Sequence, residues 1–273
     1  MKTFSRSLPK LPVFILTLLA SICLLSCEEV LQLDLSDIEN QVVIEGVVSN
    51  SSSASKIRVG LTQSAFEKSQ PVSLSGALVT LSDDQGNSEV VKESQPGVFI
   101  PSTITGVAGR VYRLRVGILG KEYSAESRMP LPMSLDTIKY ITSSSWFSFN
   151  STSLKYYLTD KPGIEEYCLI KAYSQNSSSF VWTIYSDKYA EGKQVVLESP
   201  EFNPTSNTII VELIAVDKTT YEYFYSLREV LGNSISIPDL LRMSDFNPKS
   251  NLTNNALGYF SAQAMSRYVV NIR

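Results

Sequence analysis

The apolar residues of this chain recur with a period of two, and that period most constrains its fold. Runs rich in β-branched and aromatic residues, separated by turns of Ser, Gly, Asn and Asp, begin at Gln41. Because successive side chains of a strand point to opposite faces, the pattern predicts strands rather than helices. In the first half, the predicted strands cover residues 42–48, 56–62, 77–81, 89–92, 110–116 and 121–128. Strands this short and closely spaced are typical of a β-sandwich.

A pair of prolines, Pro130 and Pro132, predicts a domain boundary, because proline cannot sit inside a central strand. The chain beyond it is richer in aromatic residues: 21 of the 27 in the whole chain lie in residues 131–273. Predicted strands continue over residues 135–141, 154–158, 167–173, 180–185, 208–216 and, as one or two strands, 257–272. This half is therefore predicted to be a second antiparallel β-domain, either a sandwich or a partial barrel.

One helix interrupts these strands and is predicted to cover the second β-domain. The helix is predicted near residues 218–231, where Tyr221, Phe224 and Tyr225 recur at helical spacing. Asp217 is a suitable N-cap, and Gly232 is a suitable residue for ending the helix. The predicted organisation is a signal peptide over residues 1–26, a tether over 27–40, a β-sandwich over 41–130 and the aromatic-rich β-domain over 131–273. The fold class is all-β with an Ig-like or transthyretin-like first domain.

Composition excludes several kinds of chemistry. The 273 residues contain no histidine and three cysteines, which removes histidine bases, Ser-His-Asp and Cys-His catalysis, and histidine-ligated metals. With 24 basic against 27 acidic residues, no basic footprint for nucleic acid is present. We therefore predict no cofactor and no nucleic-acid partner.

The amino terminus predicts export and lipid anchoring. Lys2, Arg6 and Lys10 precede an apolar stretch over residues 11–25, which is shorter than the roughly 20 residues of a membrane span. The sequence Leu-Leu-Ser-Cys ending at Cys27 resembles the bacterial lipobox, which implies that Cys27 receives fatty acyl chains such as palmitate and becomes the first mature residue. The alternative is an uncleaved anchor segment with a membrane-buried cysteine.

The next two residues bear on localisation. Glu28 and Glu29 resemble the acidic export tags of Bacteroidota lipoproteins, which implies display on the outer face of the outer membrane. A solvated tether is the alternative explanation, and it leaves periplasmic display open.

Several segments together resemble a known family. Six segments are similar to the "domain of unknown function 4249" lipoproteins of Bacteroidota. They are the signal peptide with Cys27, Glu28 and Glu29, the strand at residues 42–48, residues 75–83, residues 109–114, the Asp136-Thr137-Ile138 strand and the Gly258-Tyr259-Phe260 segment. Residues 76–81 and 109–114 also resemble transthyretin-like or carboxypeptidase-regulatory modules, which bind or brace and do not catalyse. Because such lipoproteins are typically encoded beside TonB-dependent receptors, the resemblance implies an accessory role in uptake.

Three groups of residues are candidate sites. The Asp-rich segment 83–89 superficially resembles a calcium loop, but its spacing favours a hairpin turn in which Gly86 takes a positive φ. Glu165, Glu166, Asp136 and Asp160 are candidate carboxylates for glycoside hydrolysis, which needs a pair at a defined separation. Thr137 lies in an Asp-Thr-Ile sequence that resembles a Bacteroidota O-glycosylation site, although it also fits a plain strand.

The aromatic residues of the second half predict either a core or a binding surface. Trp182, Tyr156, Tyr157, Tyr221, Tyr223 and Tyr225 could stack on sugars or pack inside the protein. Trp146, Phe147 and Phe149 are flanked by serines and asparagine and are the best candidates for an exposed partner-binding loop.

Taken together, these patterns predict a lipid-anchored outer-membrane protein that binds rather than reacts and assists a TonB-dependent transporter. The alternatives are a surface adhesin or glycan-binding structural lipoprotein and a carboxylate-based glycoside hydrolase.

Overall fold

A computed structural model describes residues 40–62, 72–145, 148–188, 190, 192–231 and 248–272 of the chain, and for residues 144, 145, 148–150 and 229–231 it describes the backbone alone. Cys27, Glu28 and Glu29 lie outside these residues, as do Trp146, Phe147 and the side chain of Phe149. The predictions made for those six residues therefore stay predictions.

Within the described residues the regular structure is mostly strand, with a single α-helix, which confirms the predicted all-β class. The strands are β1 (Val42–Ser49), β2 (Lys56–Leu61), β3 (Val72–Ser73), β4 (Leu78–Asp83), β5 (Ser88–Val91), β6 (Glu93–Gln95), β7 (Val98–Phe99), β8 (Val111–Ile118), β9 (Lys121–Arg128), β10 (Thr137–Ser145), β11 (Ser148–Thr159), β12 (Tyr167–Ser174), β13 (Val181–Ser186), β14 (Gln194–Glu198), β15 (Thr208–Ala215) and β16 (Leu257–Asn271). The helix α1 spans Lys218–Leu231, and a single 3-10 turn covers Ser52–Ala54.

These strands form three sheets. The largest runs in the order β13-β12-β15-β16-β1-β2-β7-β6, with β3 beside β2. A four-stranded sheet has the order β5-β4-β8-β9, and a three-stranded sheet has the order β10-β11-β14. One main hydrophobic core contains residues of all three sheets, so the large sheet is covered on one face by the two smaller ones.

The first and last strands of the described chain are neighbours. β1 pairs with β16 in parallel, with Gly46 opposite Phe260, whereas β1 pairs with β2 in the antiparallel sense. The strand pairs within residues 131–273 are antiparallel, as predicted for the second β-domain. A parallel pair needs a long connection between its strands, and here the connection includes both smaller sheets and α1.

The core and the large sheet both continue across residue 130. Asn40–Arg273 is one compact unit, and Leu114, Met129, Leu154 and Phe260 belong to the same apolar cluster. That the chain divides near Pro130 into two independently folding domains stays a prediction. Its test is whether the residues before Pro130 fold without the core residues that follow.

Helix α1 covers the opposite face of the large sheet, as its sequence pattern predicts. Phe224 packs against Trp182, with ring centroids 5.8 Å apart, and Leu227 is buried one turn further on. Phe224 belongs to a second apolar cluster with Leu169, Ile184 and other outward-facing strand residues. The predicted N-cap is confirmed, because the Thr220 amide donates to the Asp217 carboxylate at 2.8 Å.

Candidate ligand-binding cleft

An open cleft of about 840 Å³ lies beside the first turns of α1. Its walls come from the loop between β11 and β12, the start of β12, the turn after β13 and one face of α1. The lining residues are Asp160, Lys161, Gly163, Ile164, Glu165, Tyr167, Ser186, Asp187, Lys188, Lys218, Tyr221, Glu222 and Tyr225. This volume is within the range of small-molecule sites in proteins, roughly 300 to 1,000 Å³.

The helical period explains which residues of α1 reach the cleft. Lys218, Tyr221, Glu222 and Tyr225 are spaced by three and four residues, which places them on one face of the helix. Phe224, which lies between them in the sequence, faces the sheet instead. One helix therefore supplies a buried apolar face and a polar, aromatic cleft wall.

Three tyrosines form a continuous aromatic row in the cleft, which we call the tyrosine wall. The ring centroids of Tyr167 and Tyr221 are 5.1 Å apart, and those of Tyr221 and Tyr225 are 5.9 Å apart. The guanidinium of Arg228 lies 5.2 Å from the Tyr225 ring centroid. Tyr225 is 39% exposed, so the outer end of the wall is open to a ligand.

Backbone contacts hold the loop opposite α1. The Glu166 amide donates to the Asp187 carboxylate at 2.7 Å, and the Asp187 amide donates to the Glu166 carbonyl at 3.1 Å. The Lys161 ammonium lies 3.2 Å from the buried Glu166 carboxylate. These contacts join the β11–β12 loop to the turn after β13, so the two segments form one side of the cleft.

Asp160 is the most deeply buried carboxylate among the cleft residues. It is 4% exposed, and its Oδ2 accepts a hydrogen bond from the Gly192 amide at 2.6 Å. Its Oδ1 has no hydrogen-bond partner among the described residues, and the same holds for the hydroxyl of nearby Tyr185. Both atoms are closed off from solvent, and buried polar atoms without partners cost free energy.

Burial, with smaller contributions from neighbouring carboxylates, raises the pKa values of two tyrosines, Tyr167 in the cleft and Tyr185 near Asp160. Burial raises the pKa of Tyr167 to about 12, helped by its hydrogen bond to Glu165 and by the charges of Asp187 and Glu222. The hydroxyl of Tyr167 donates to Glu165 at 3.0 Å. Burial and the neighbouring Asp160 charge also raise the pKa of Tyr185 well above its usual range. Both hydroxyls are therefore protonated donors at neutral pH.

The candidate carboxylates from the sequence are only partly brought together. Asp160 and Glu165 line the same cleft. Glu166 is instead buried against Lys161, and Asp136 accepts hydrogen bonds from Thr159 and Gln194 outside the cleft. The sequence reasoning did not single out Asp187, Lys188 or Lys218, because their approach to Tyr167 depends on strand pairing and on helix docking.

The Asp-rich segment forms a hairpin turn, as its spacing predicts. The Asp83 carboxylate accepts from the Gln85 and Asn87 amides, both at 3.0 Å, and from Arg110 at 2.9 Å. Gly86 has a φ of 86°. Among the described residues, no group of three or more Cys, Asp or Glu side chains is arranged to hold a metal ion.

The aromatic candidates divide between core and cleft. Tyr156 and Trp182 are buried in the core, and Tyr223 packs on Tyr259 with ring centroids 5.0 Å apart. Tyr221 and Tyr225 reach the cleft. The core interpretation is therefore confirmed for the buried residues, and the binding interpretation stays a prediction for Tyr221 and Tyr225.

Thr137 is exposed at the start of β10, where its hydroxyl donates to the Asp136 carbonyl at 2.8 Å. Glycosylation at this position stays a prediction. In the part of the chain that the structure describes, no helix has the length and hydropathy needed to cross a bilayer.

Comparison with known proteins gives one family. Residues 28–268 match the family described as Domain of unknown function (DUF4249), which confirms the resemblance seen in the sequence. No curated protein matches the chain.

Proposed function

The chain belongs to the DUF4249 family, and from that premise we propose that it is a lipid-anchored outer-membrane binding protein that assists a TonB-dependent transporter in uptake. The proposal has three parts: a ligand-binding cleft without catalysis, an acyl anchor at Cys27 and a contact with a transporter barrel. Each part has a separate test.

The observation that carries the binding part is the cleft itself. An exposed aromatic row beside hydrogen-bonding groups is the usual composition of a small-molecule site, in which apolar surface supplies affinity and a few polar groups supply orientation. Tyr221 and Tyr225 provide that surface, and Asp160 and Asp187 are oriented by backbone amides. A ligand held this way is captured and released unchanged.

The anchor is supported by the Leu-Leu-Ser-Cys sequence at residues 24–27. Two or three acyl chains hold a protein on a membrane stably, whereas one chain does so only marginally. Cys27→Ser is expected to abolish labelling with a radioactive fatty acid and to release the protein from the membrane pellet after a high-salt wash. Ser26→Ala, which keeps a small residue before the cysteine, is the control and should stay anchored. Retention of the Cys27→Ser protein in the pellet would contradict the anchor.

The transporter contact is tested by purification from outer membranes. Trp146 and Phe147 follow β10 in the sequence and are predicted to belong to a partner-binding loop, because large aromatic residues are costly to expose unless a partner covers them. We expect the tagged chain to carry a TonB-dependent barrel with it in detergent. Replacing both residues with serine should reduce the barrel yield and leave the melting temperature nearly unchanged. A protein that is anchored but brings no barrel would instead support the adhesin alternative.

A second candidate function, glycoside hydrolysis, is favoured by one observation: Asp160 and Glu165 line the same cleft. Hydrolysis would use one as the acid and the other as the base or nucleophile. Incubation with oligosaccharides and detection of new reducing ends tests it. Products that disappear in both Asp160→Asn and Glu165→Gln would replace the binding-only function with an enzymatic one.

A further inference from the structure

We propose that the ligand of the cleft is a neutral oligosaccharide, stacked on the tyrosine wall and hydrogen-bonded by the charged side chains around it. This inference rests on the proposed function, because it names the ligand class of the same cleft. Two features of the cleft support it: the balance of charged side chains and the aromatic row.

The charge balance of the cleft disfavours a strongly charged ligand of either sign. Four carboxylates and three ammonium groups line it: Asp160, Glu165, Asp187, Glu222, Lys161, Lys188 and Lys218. A polyanion would meet the carboxylates, and a polycation would meet the ammonium groups, at short range where screening is weak. A neutral ligand meets neither penalty.

The same groups suit a ligand that both donates and accepts hydrogen bonds. Carboxylates accept only, ammonium groups donate only, and a hydroxyl does both. A sugar ring with several hydroxyls can therefore use both kinds of group in one pose. An apolar ligand could use neither, and the polar groups would lose water without replacement.

The tyrosine wall matches the apolar faces of sugar rings. Its centroid spacings of 5.1 Å and 5.9 Å make a row of three rings rather than a closed cage around a single cation. The neighbouring rings are tilted by 39° and 41° and pack on one another, so a sugar ring stacks at the open end of the row. Tyr225, at 39% exposed, is the member most available for stacking.

The test is calorimetric titration of the detergent-extracted full chain with maltotriose, cellotriose and mannotriose. We expect at least one of them to bind with a dissociation constant at or below about 1 mM. That affinity should change less than about twofold between about 50 and 500 mM NaCl, because the ligand carries no charge to screen. Tyr225→Ala should weaken it about 3- to 10-fold.

Tyr140→Ala is the matched control, because Tyr140 is 37% exposed and lies on β10 outside the cleft. It should bind as the unmodified chain does. Failure of all three sugars to bind, equal binding by Tyr225→Ala and the unmodified chain, or tighter binding of a cationic glucosamine trimer or anionic trigalacturonate would overturn the proposal. Co-purification of a barrel does not depend on these results, so failure here is distinguishable from failure of the transporter role.

Discussion

Ser127 and Asp217, ninety residues apart, share a hydrogen bond of 2.6 Å from the serine hydroxyl to the aspartate Oδ2. The same hydroxyl accepts from the Ala262 amide at 2.8 Å. Asp217 uses its other oxygen to cap α1. One buried hydroxyl thus connects β9, β16 and the helix that forms a wall of the cleft.

Removal of that hydroxyl tests the connection. Ser127→Ala leaves the Ala262 amide and one Asp217 oxygen without a partner, so we expect a loss of about 1 to 3 kcal/mol in the free energy of unfolding. Urea denaturation at pH 7 measures it. The control is Ser124→Ala on the same strand, whose hydroxyl contact with Thr253 is exposed and whose loss should cost less than about 0.5 kcal/mol. Equal losses of unfolding free energy for the two substitutions would contradict the stabilising role assigned to the Ser127 hydroxyl.

A fragment covering residues 35–129 tests the predicted domain boundary. The sequence predicts that it folds alone as a β-sandwich. The fragment lacks β16, however, so β1 loses its parallel neighbour and the core loses the fully buried Phe260. We therefore expect a fragment without a cooperative thermal transition, measured by circular dichroism. A sharp transition with β-type spectra would show that the boundary at Pro130 is a true folding boundary.

Gly258 is expected to be intolerant of substitution. Its φ is +92°, and an added Cβ would overlap the Ile44 carbonyl in the neighbouring strand. Gly86 is a matched control, because its φ is +86° but an added Cβ would meet nothing within 4 Å. Gly86→Ala should cost about 1 to 2 kcal/mol from backbone strain alone, and Gly258→Ala should cost clearly more or prevent folding. Similar unfolding free energies for the two variants would show that β1 and β16 can move apart at this position at little cost in free energy.

Glu89 should make folding stability depend on pH on the acid side. Burial disfavours its charge, but five hydrogen bonds from Ser102, Thr103 and Ile104 outweigh that effect and lower its pKa from 4.5 to about 2. A lowered pKa stabilises the fold above the unfolded value of 4.5, and this contribution is lost as the pH falls towards 2. The difference between the folded and unfolded pKa values of Glu89 corresponds to on the order of 3 kcal/mol of folding stability at neutral pH.

Glu89→Gln is therefore expected to unfold more readily at pH 7 and to lose less stability between pH 4.5 and pH 2 than the unmodified chain. Urea denaturation across that pH range measures both effects. Glu122→Gln, at an exposed position of β9, is the control and should follow the unmodified chain. Parallel pH profiles for Glu89→Gln and the unmodified chain would contradict the role assigned to Glu89.

The longer strands and the helix could be predicted from the sequence because their signals are local. Alternation over residues 121–128 matches β9 at both ends, and the spacing from Asp217 to Leu231 matches α1 with its N-cap. Strands β3, β6 and β7 were missed because two or three residues are too few to show a period. β14, with Val195, Val196 and Leu197 in succession, shows no alternation in its sequence.

The cleft was only half predictable for the same reason. The spacing of Tyr221 and Tyr225 already places them on one helix face, so their proximity was determined by sequence alone. Tyr167 joins them only because β12 lies in the sheet on which α1 docks, and Asp187 lies beside Glu166 only because β12 and β13 pair with Tyr167 opposite Ser186. The parallel pairing of β1 with β16 was likewise decided by tertiary structure. Such contacts depend on which distant surfaces bury each other. Hydrophobic burial is non-directional, so a local sequence pattern does not specify its distant partner. The periodicity of the sequence therefore predicts the single strands and the helix, whereas tertiary packing decides which residues meet in the cleft.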